Sequence, residues 1–219
     1  MLLLGNISLE GILGAIVAVG LGMTVHEFAH NFVAHLMGDP VPSQQGRLTL
    51  NPLVHINWLG WLMFALLGFG ILGSAPISAQ RMRNPRYGYL AAVAAGPLAN
   101  LLLALLFGLL YQMMEPLLRS GALPLALVRP VATMIWTIVF INALLCLFNL
   151  LPLFPLDGWH VVYALLPPQQ AWNWGSPQWR QYSQYAFFAL ILLSFSGIFN
   201  LFGMLVSGPA FRLTRLLLG

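Results

Sequence analysis

The stretch that decides the architecture is LEGILGAIVAVGLGMTVHEFAHNFVAHLM, Leu9–Met37, which runs into Gly38-Asp39-Pro40. Ser8 can cap a helix start, and Gly38 with Pro40 can stop one. The reading is therefore a single helix of 29 residues, about 43 Å long. From Gly11 to Val25 it carries no charged side chain. That is the pattern of a bilayer-spanning helix, which needs roughly 20 predominantly apolar residues. Its polar side chains His26, Glu27, His30, Asn31 and His35 all gather toward the C-terminal end.

The rest of the chain has the same character. Of 219 residues 59% are apolar and 6% charged, against about 25% charged in a soluble domain. A water-facing surface cannot be built from this composition. A soluble enzyme, a disordered linker and a disulfide-stapled secreted domain are excluded, leaving an integral membrane protein. The bases are all Arg, and the acids are Glu10, Glu27, Asp39, Glu115 and Asp157. The excess of four positive charges is too small to argue for nucleic acid as a partner; arginines here are expected to mark cytoplasmic loops. The lone Cys146 lies in an apolar run and reads as a buried, inert thiol. Met1–Leu9 lacks Lys and Arg and no small-x-small site follows, so the first apolar segment is expected to stay in the protein.

Further spans are expected at Tyr87–Met114, Pro130–Leu151 and much of Gln181–Phe211. Asn57–Ser74 is apolar but rich in glycine, which weakens a helix by about 1 kcal/mol per site relative to alanine. A re-entrant or tightly packed element competes with a span there. Gln44–Leu50 alternates polar and apolar residues after a Pro-rich turn, a short strand signal with an ordinary loop as its competitor. As a strand, its edge could hold an extended peptide by main-chain pairing. The fold expected is an all-α polytopic membrane protein with about 4–6 transmembrane helices and a short re-entrant or β-like segment beside the site.

His26-Glu27-Phe28-Ala29-His30 is an H-E-x-x-H. On a helix, residues i and i+4 share one face, so both imidazoles can bind one Zn²⁺. Glu27 is adjacent but rotated by about 100°, placed to act on a metal-polarised water without ligating. Zinc in a catalytic site takes a third protein ligand and keeps one position open. Asp157 is the only acid in the last hundred residues. It lies in F-N-L-L-P-L-F-P-L-D-G, where two prolines and a glycine take the backbone out of helix and can aim a carboxylate inward. Zn²⁺ with ionised Glu27 and Asp157 is formally neutral, which removes most of the cost of burying either acid alone. The alternative for Asp157 is a turn aspartate capping the next helix.

Ligand geometry constrains topology. His26 and His30 lie about 13 Å short of the end of the first helix, and Asp157 lies just past the end of Pro130–Leu151. For the three to meet, both helices must end on one membrane face, with an even number of crossings between them. Asn57–Ser74 is therefore expected not to cross. Arg81, Arg83 and Arg86 mark that face as cytoplasmic.

The helix-borne H-E-F-A-H, the A-G-P-L-A-N at Ala95–Asn100 and the N-L-L-P-L-F-P-L-D-G at Asn149–Gly158 resemble the site-2 protease family. These are zinc-dependent intramembrane metalloproteases that cut transmembrane helices of their substrates. Gly46–Asn57 resembles a compact bacterial branch without PDZ or CBS domains, although Asn57 stands where an aspartate is expected. The resemblance implies His26, His30 and Asp157 as metal ligands for one Zn²⁺, Glu27 as general base, and a part for Asn149 in holding substrate or the developing oxyanion. It further implies one domain over 1–219, with a catalytic core of about 9–165 and C-terminal helices over 181–219. It places the protein in a bacterial inner membrane, with the site toward the cytoplasm and transmembrane proteins as partners.

Other polar residues carry plainer readings. The Asn149 amide equally suits the carbonyls freed by Pro152, and Asn100 suits an interhelical hydrogen bond, with Gly96 allowing close approach. His55 and His160 are expected at the interface rather than on the metal, and His35 faces away from His30. Trp172, Trp174 and Trp179 read as an interfacial belt. Two other functions remain open, a membrane metal transporter and an inactive scaffold that binds helices.

Overall fold

A single helix, α1 (Leu9–Leu36), carries the H-E-F-A-H on its C-terminal half. In this computed structural model, which describes residues 9–55, 57, 73, 75–121, 124–196 and 200–219, it is followed by two one-turn helices, α2 (Val41–Gln44) and α3 (Pro52–His55). Then come α4 (Pro85–Arg119), α5 (Leu125–Asn149), α6 (Asp157–Leu165), α7 (Pro168–Trp174), α8 (Pro177–Ser196), a π-helical turn Gly203–Ser207 and α9 (Gly208–Leu218). The protein is all-α, a membrane protein by composition. Among the described residues three helices are long and apolar enough to cross a bilayer: Gly11–Leu36, Pro85–Arg119 and Ala126–Asn149. The span expected within Gln181–Phe211 is divided between α8 and α9.

α1, α4 and α5 pack on one another, and small residues set how closely. Ala18, Ala34, Ala92, Ala104 and Ala143 are buried at these contacts, the composition of a lipid-embedded helix interface, where backbones approach because side chains are small. Gly22 is the tightest point. A Cβ there would lie 2.8 Å from Asn142 Oδ1 and 2.9 Å from Leu145 Cδ1. α9 closes the far end of the bundle, where Leu217 and Leu218 pack against Ala104, Ile135 and Val139 and Gln112 donates to the Leu217 carbonyl at 2.9 Å.

α4 begins at Pro85, two residues before the expected span. Asn84 Oδ1 accepts from the Tyr87 N–H at 3.1 Å, and Pro85 suits the first helical position, where its missing N–H costs nothing. The helix continues past Met114 to Arg119, whose guanidinium pairs with Glu115 at 2.6 Å.

Gln44–Leu50 is not a strand. α2 ends at Gln44, and a turn and bend follow. The N–H groups of Gln44, Gln45, Gly46 and Arg47 all donate to the carbonyls of residues 40–43, so this backbone offers no edge for a peptide. Pro42 starts the turn and Gly46 at φ +65° closes it; the alternation of side chains is real but sits on coiled backbone. The expectation that Asn57–Ser74 does not cross lies outside the described residues except for Asn57 and Gly73, as does the Ser8 cap.

α6 is held over the ends of α4 and α5. Gly158 lies against the Leu150 and Leu151 carbonyls with no room for a Cβ. The loop before it is tied to α8 by the Phe154 N–H donating to Ser183 Oγ at 2.7 Å. At the other end of α6, Arg86 donates to the carbonyls of Ala164, Leu165 and Leu166, each at 3.0 Å. These are the orphan acceptors of a helix C-terminus. Replacing Arg86 with Ala is expected to lower stability by about 1 kcal/mol, the size of a partly solvated hydrogen-bond set, seen as a lower thermal midpoint in detergent; an unchanged midpoint contradicts the clamp.

Candidate metal centre

Heptad-like spacing on α1 turns His26 and His30 to the same side, toward α4 and α6, and both are buried. Their rings meet edge to face with centroids 4.5 Å apart, and their Nε2 atoms are 3.0 Å apart. Asp157, the first residue of α6, brings Oδ2 to 3.1 Å from His26 Nε2 and 3.3 Å from His30 Nε2. Of the residues singled out in the sequence, these three are brought together. Among the described residues they form a group able to hold a metal ion.

The far side of each ring shows which nitrogen is free. Asn100 Oδ1 lies 2.6 Å from His26 Nδ1, and the Ala92 carbonyl lies 2.7 Å from His30 Nδ1. An oxygen facing Nδ1 fixes the proton there. In the neutral rings both Nε2 lone pairs then point at each other and at the Asp157 carboxylate, in a buried site. Asp157 Oδ2 and Glu27 Oε2 are also buried without a hydrogen-bond partner. Like poles held this closely are costly, and a divalent cation would satisfy the two Nε2 atoms and Asp157 Oδ2 at once.

Dimensions agree with zinc. Tetrahedral sites with bonds of about 2.0–2.1 Å have ligand atoms about 3.3 Å apart, close to the separations of 3.0, 3.1 and 3.3 Å observed. Two imidazoles and a carboxylate are a catalytic-type zinc donor set with one position left open. Room for the ion is made by Gly96 on α4, whose absent Cβ would collide with His30 Nε2 and come within 2.8 Å of His26 Cε1.

Burial raises the Asp157 carboxyl pKa, but the positive charge that His30 and His26 carry when protonated outweighs burial and holds it well below the usual carboxylate range. An ionised carboxylate is the form a metal ligand must take. Asp157 does not take the capping alternative: Leu156 holds the cap position of α6, no side chain caps that end, and Asp157 is the first helical residue. Glu27 is buried beside the pair. The backbone of Gly73 lies against its carboxylate, where a Cβ would come within 2.7 Å of Cδ, and Asn31 Nδ2 donates to its carbonyl at 2.7 Å.

Asn149 ends α5 and donates from Nδ2 to the Leu145 carbonyl at 3.0 Å, a local backbone contact. His55 binds the Thr49 carbonyl at 2.8 Å, and His160 binds Tyr89 Oη at 2.9 Å; neither belongs to the metal group. Burial pushes the His160 imidazole below its usual pKa. Two contributors were not singled out from sequence. Asn142, fully buried on α5, meets Asn100 across the bundle; an amide in an apolar span was the available signal. The Ala92 carbonyl leaves no trace in sequence.

Fold and site together define a membrane protein in which two buried histidines and an aspartate form a group able to hold a metal ion. The sequence is similar to YwhC of Bacillus subtilis, named as a candidate zinc metalloprotease, with 35% identity over 154 residues that cover 70% of this chain and 69% of YwhC. It is also similar to candidate zinc metalloproteases named Rip2. The Rip2 of Mycolicibacterium smegmatis shows 32% identity over 68% of this chain, and that of Mycobacterium tuberculosis shows 31% over 67%. The matches take in 56% and 53% of those Rip2 proteins, so the chain spans about half their length. The chain belongs to this family of zinc metalloproteases. No family model matches it, and no solved structure does.

Replacing Gly96 with Ala, a change that favours helix, is expected to weaken zinc binding by at least ~10-fold, the scale of a lost supporting contact. Metal analysis of the purified protein after dialysis checks this, and zinc retained at the unmutated level contradicts it.

Proposed function

We propose that the protein is an intramembrane metalloprotease of the site-2 protease type, hydrolysing a peptide bond within or near the transmembrane segment of a substrate protein. The observation that carries this reading is the convergence of His26 Nε2, His30 Nε2 and Asp157 Oδ2 beside the buried Glu27 carboxylate, whose Oε2 has no hydrogen-bond partner. His26, Glu27 and His30 sit on a helix long and apolar enough to cross a bilayer, and Asp157 opens the short helix packed against α4. The zinc metalloprotease names of the relatives support the same chemistry.

His26, His30 and Asp157 would hold the zinc, which when bound supplies Lewis-acid polarisation to the reacting groups. The chain's own residues do the remaining work. Glu27, not engaged as a ligand, accepts the proton of the attacking water at its carboxylate and returns it to the leaving amine. A buried carboxylate with one oxygen free of donors is suited to taking that proton. Asn149, with one amide hydrogen on the Leu145 carbonyl, would offer its second to a substrate carbonyl. Burial of the histidine pair excludes bulk water, which strengthens each of these electrostatic contacts.

The site lies toward the end of the bundle where the Arg83 N–H binds the Met37 carbonyl and Arg86 clamps α6. With Arg81 beside them, these arginines favour a cytoplasmic placement of that end, in a bacterial inner membrane. The occupants of the site are then membrane helices, unwound locally before cleavage.

Purified protein incubated with a panel of single-span substrates tests the assignment. Glu27→Gln is expected to lower turnover by roughly 10²–10⁴-fold while zinc content is kept. His26→Ala, His30→Ala and Asp157→Ala should lose both turnover and zinc. Cleavage that survives Glu27→Gln contradicts the proposed base.

A further inference from the structure

Asn142 touches none of the metal-binding atoms, yet the hydrogen bonds through it determine how one of them is presented. Its Nδ2 donates to the Ile138 carbonyl at 2.8 Å. A backbone carbonyl only accepts, so this contact fixes which end of the Asn142 amide faces the other way. Its Oδ1 is therefore turned to α4, where it accepts from Asn100 Nδ2 at 2.9 Å. Asn100 Nδ2 also donates to the Gly22 carbonyl at 3.0 Å. With both of its N–H groups engaged, Asn100 can present only Oδ1 to His26, and it does so at 2.6 Å from Nδ1. Asn31, Asn100 and Asn142 are all fully buried, but only Asn100 and Asn142 lie in this chain of contacts.

We infer that Asn142 is a positioning residue for the metal site: through Asn100 it holds His26 in the Nδ1–H tautomer, so that Nε2 is offered to zinc. This rests on the reading of His26, His30 and Asp157 as the zinc group. Supporting partners of a ligand histidine fix its ring and raise its basicity, and their loss costs about 10–100-fold in metal affinity. The chain crosses three helices, α5 to α4 to α1, and depends on their close approach at Gly22. A Cβ at Gly22 would stand 2.8 Å from the Asn142 Oδ1 and 2.9 Å from Leu145 Cδ1, so any larger residue here must push those side chains aside. Removing the Asn142 acceptor leaves a buried N–H of Asn100 unpaired, which loosens the amide against His26.

Zinc dissociation constants measured by chelator competition on the full chain in detergent test this. Asn100→Leu is expected to weaken zinc on the order of 10–100-fold, and Asn142→Leu several-fold. In the Asn100→Leu background Asn142→Leu should add nothing. Asn142→Asp, neutral when buried and still an acceptor toward Asn100, should restore affinity toward the unmutated value. Gly22→Ala displaces Asn142 without removing a polar group and should weaken zinc as Asn142→Leu does, which keeps the test open if that variant does not fold. Unchanged affinity in both Asn142→Leu and Gly22→Ala overturns the inference. So does an equal further loss from Asn142→Leu when Asn100 is already Leu, which marks a general packing effect. An unmutated protein that binds no zinc overturns the metal-site reading itself, and the inference with it.

Discussion

Three acceptor atoms face one another in a space that excludes water, and the bundle is built around that conflict. Each imidazole has its Nδ1 proton directed outward, one to Asn100 and one to the Ala92 carbonyl. The inward nitrogens and the Asp157 oxygen are left with lone pairs only. In a low-dielectric interior such an arrangement is strongly unfavourable unless a cation lies among them. A cation held there would link the H-E-F-A-H helix to the helix opening at Asp157.

What permits the convergence is the absence of side chains at a few positions. Gly96 leaves the volume in front of the two rings, Gly22 lets α5 come close to α1, and Gly158 lets α6 start directly over the end of α5. Lipid gives helices no hydrophobic reason to associate, so packing of small residues and buried hydrogen bonds carries the association. The asparagine contacts among α1, α4 and α5 serve both purposes. They join the helices, and by the inference above they orient His26.

The membrane class and the core of the site were legible because charge is so scarce in this chain. His26, Glu27, His30 and Asp157 stand out against apolar sequence, and helical spacing alone puts the two histidines on one face. The need for α1 and α5 to end on the same side followed from the same residues. Asn142 was not legible as a supporting residue, because its role depends on how near α5 comes to α1 at Gly22, a property of the pair of helices. The Ala92 carbonyl is backbone and carries no residue signature at all. At Gln44–Leu50 a period-two alternation suggested extended chain, but it was too short to outweigh Pro42 and Gly46, whose backbone preferences coil the segment. The boundaries of α4 were misjudged for local reasons, the Asn84 cap and the Glu115–Arg119 pair, each of which extends a helix beyond its apolar span.

Zinc X-ray absorption on the purified, zinc-loaded protein addresses the metal group most directly. A first shell of two imidazole nitrogens with one or two oxygens at about 2.0–2.1 Å is the expected spectrum. A sulfur scatterer at about 2.3 Å from Cys146, or a shell with fewer than two imidazoles, would contradict the convergence of His26, His30 and Asp157 on one ion.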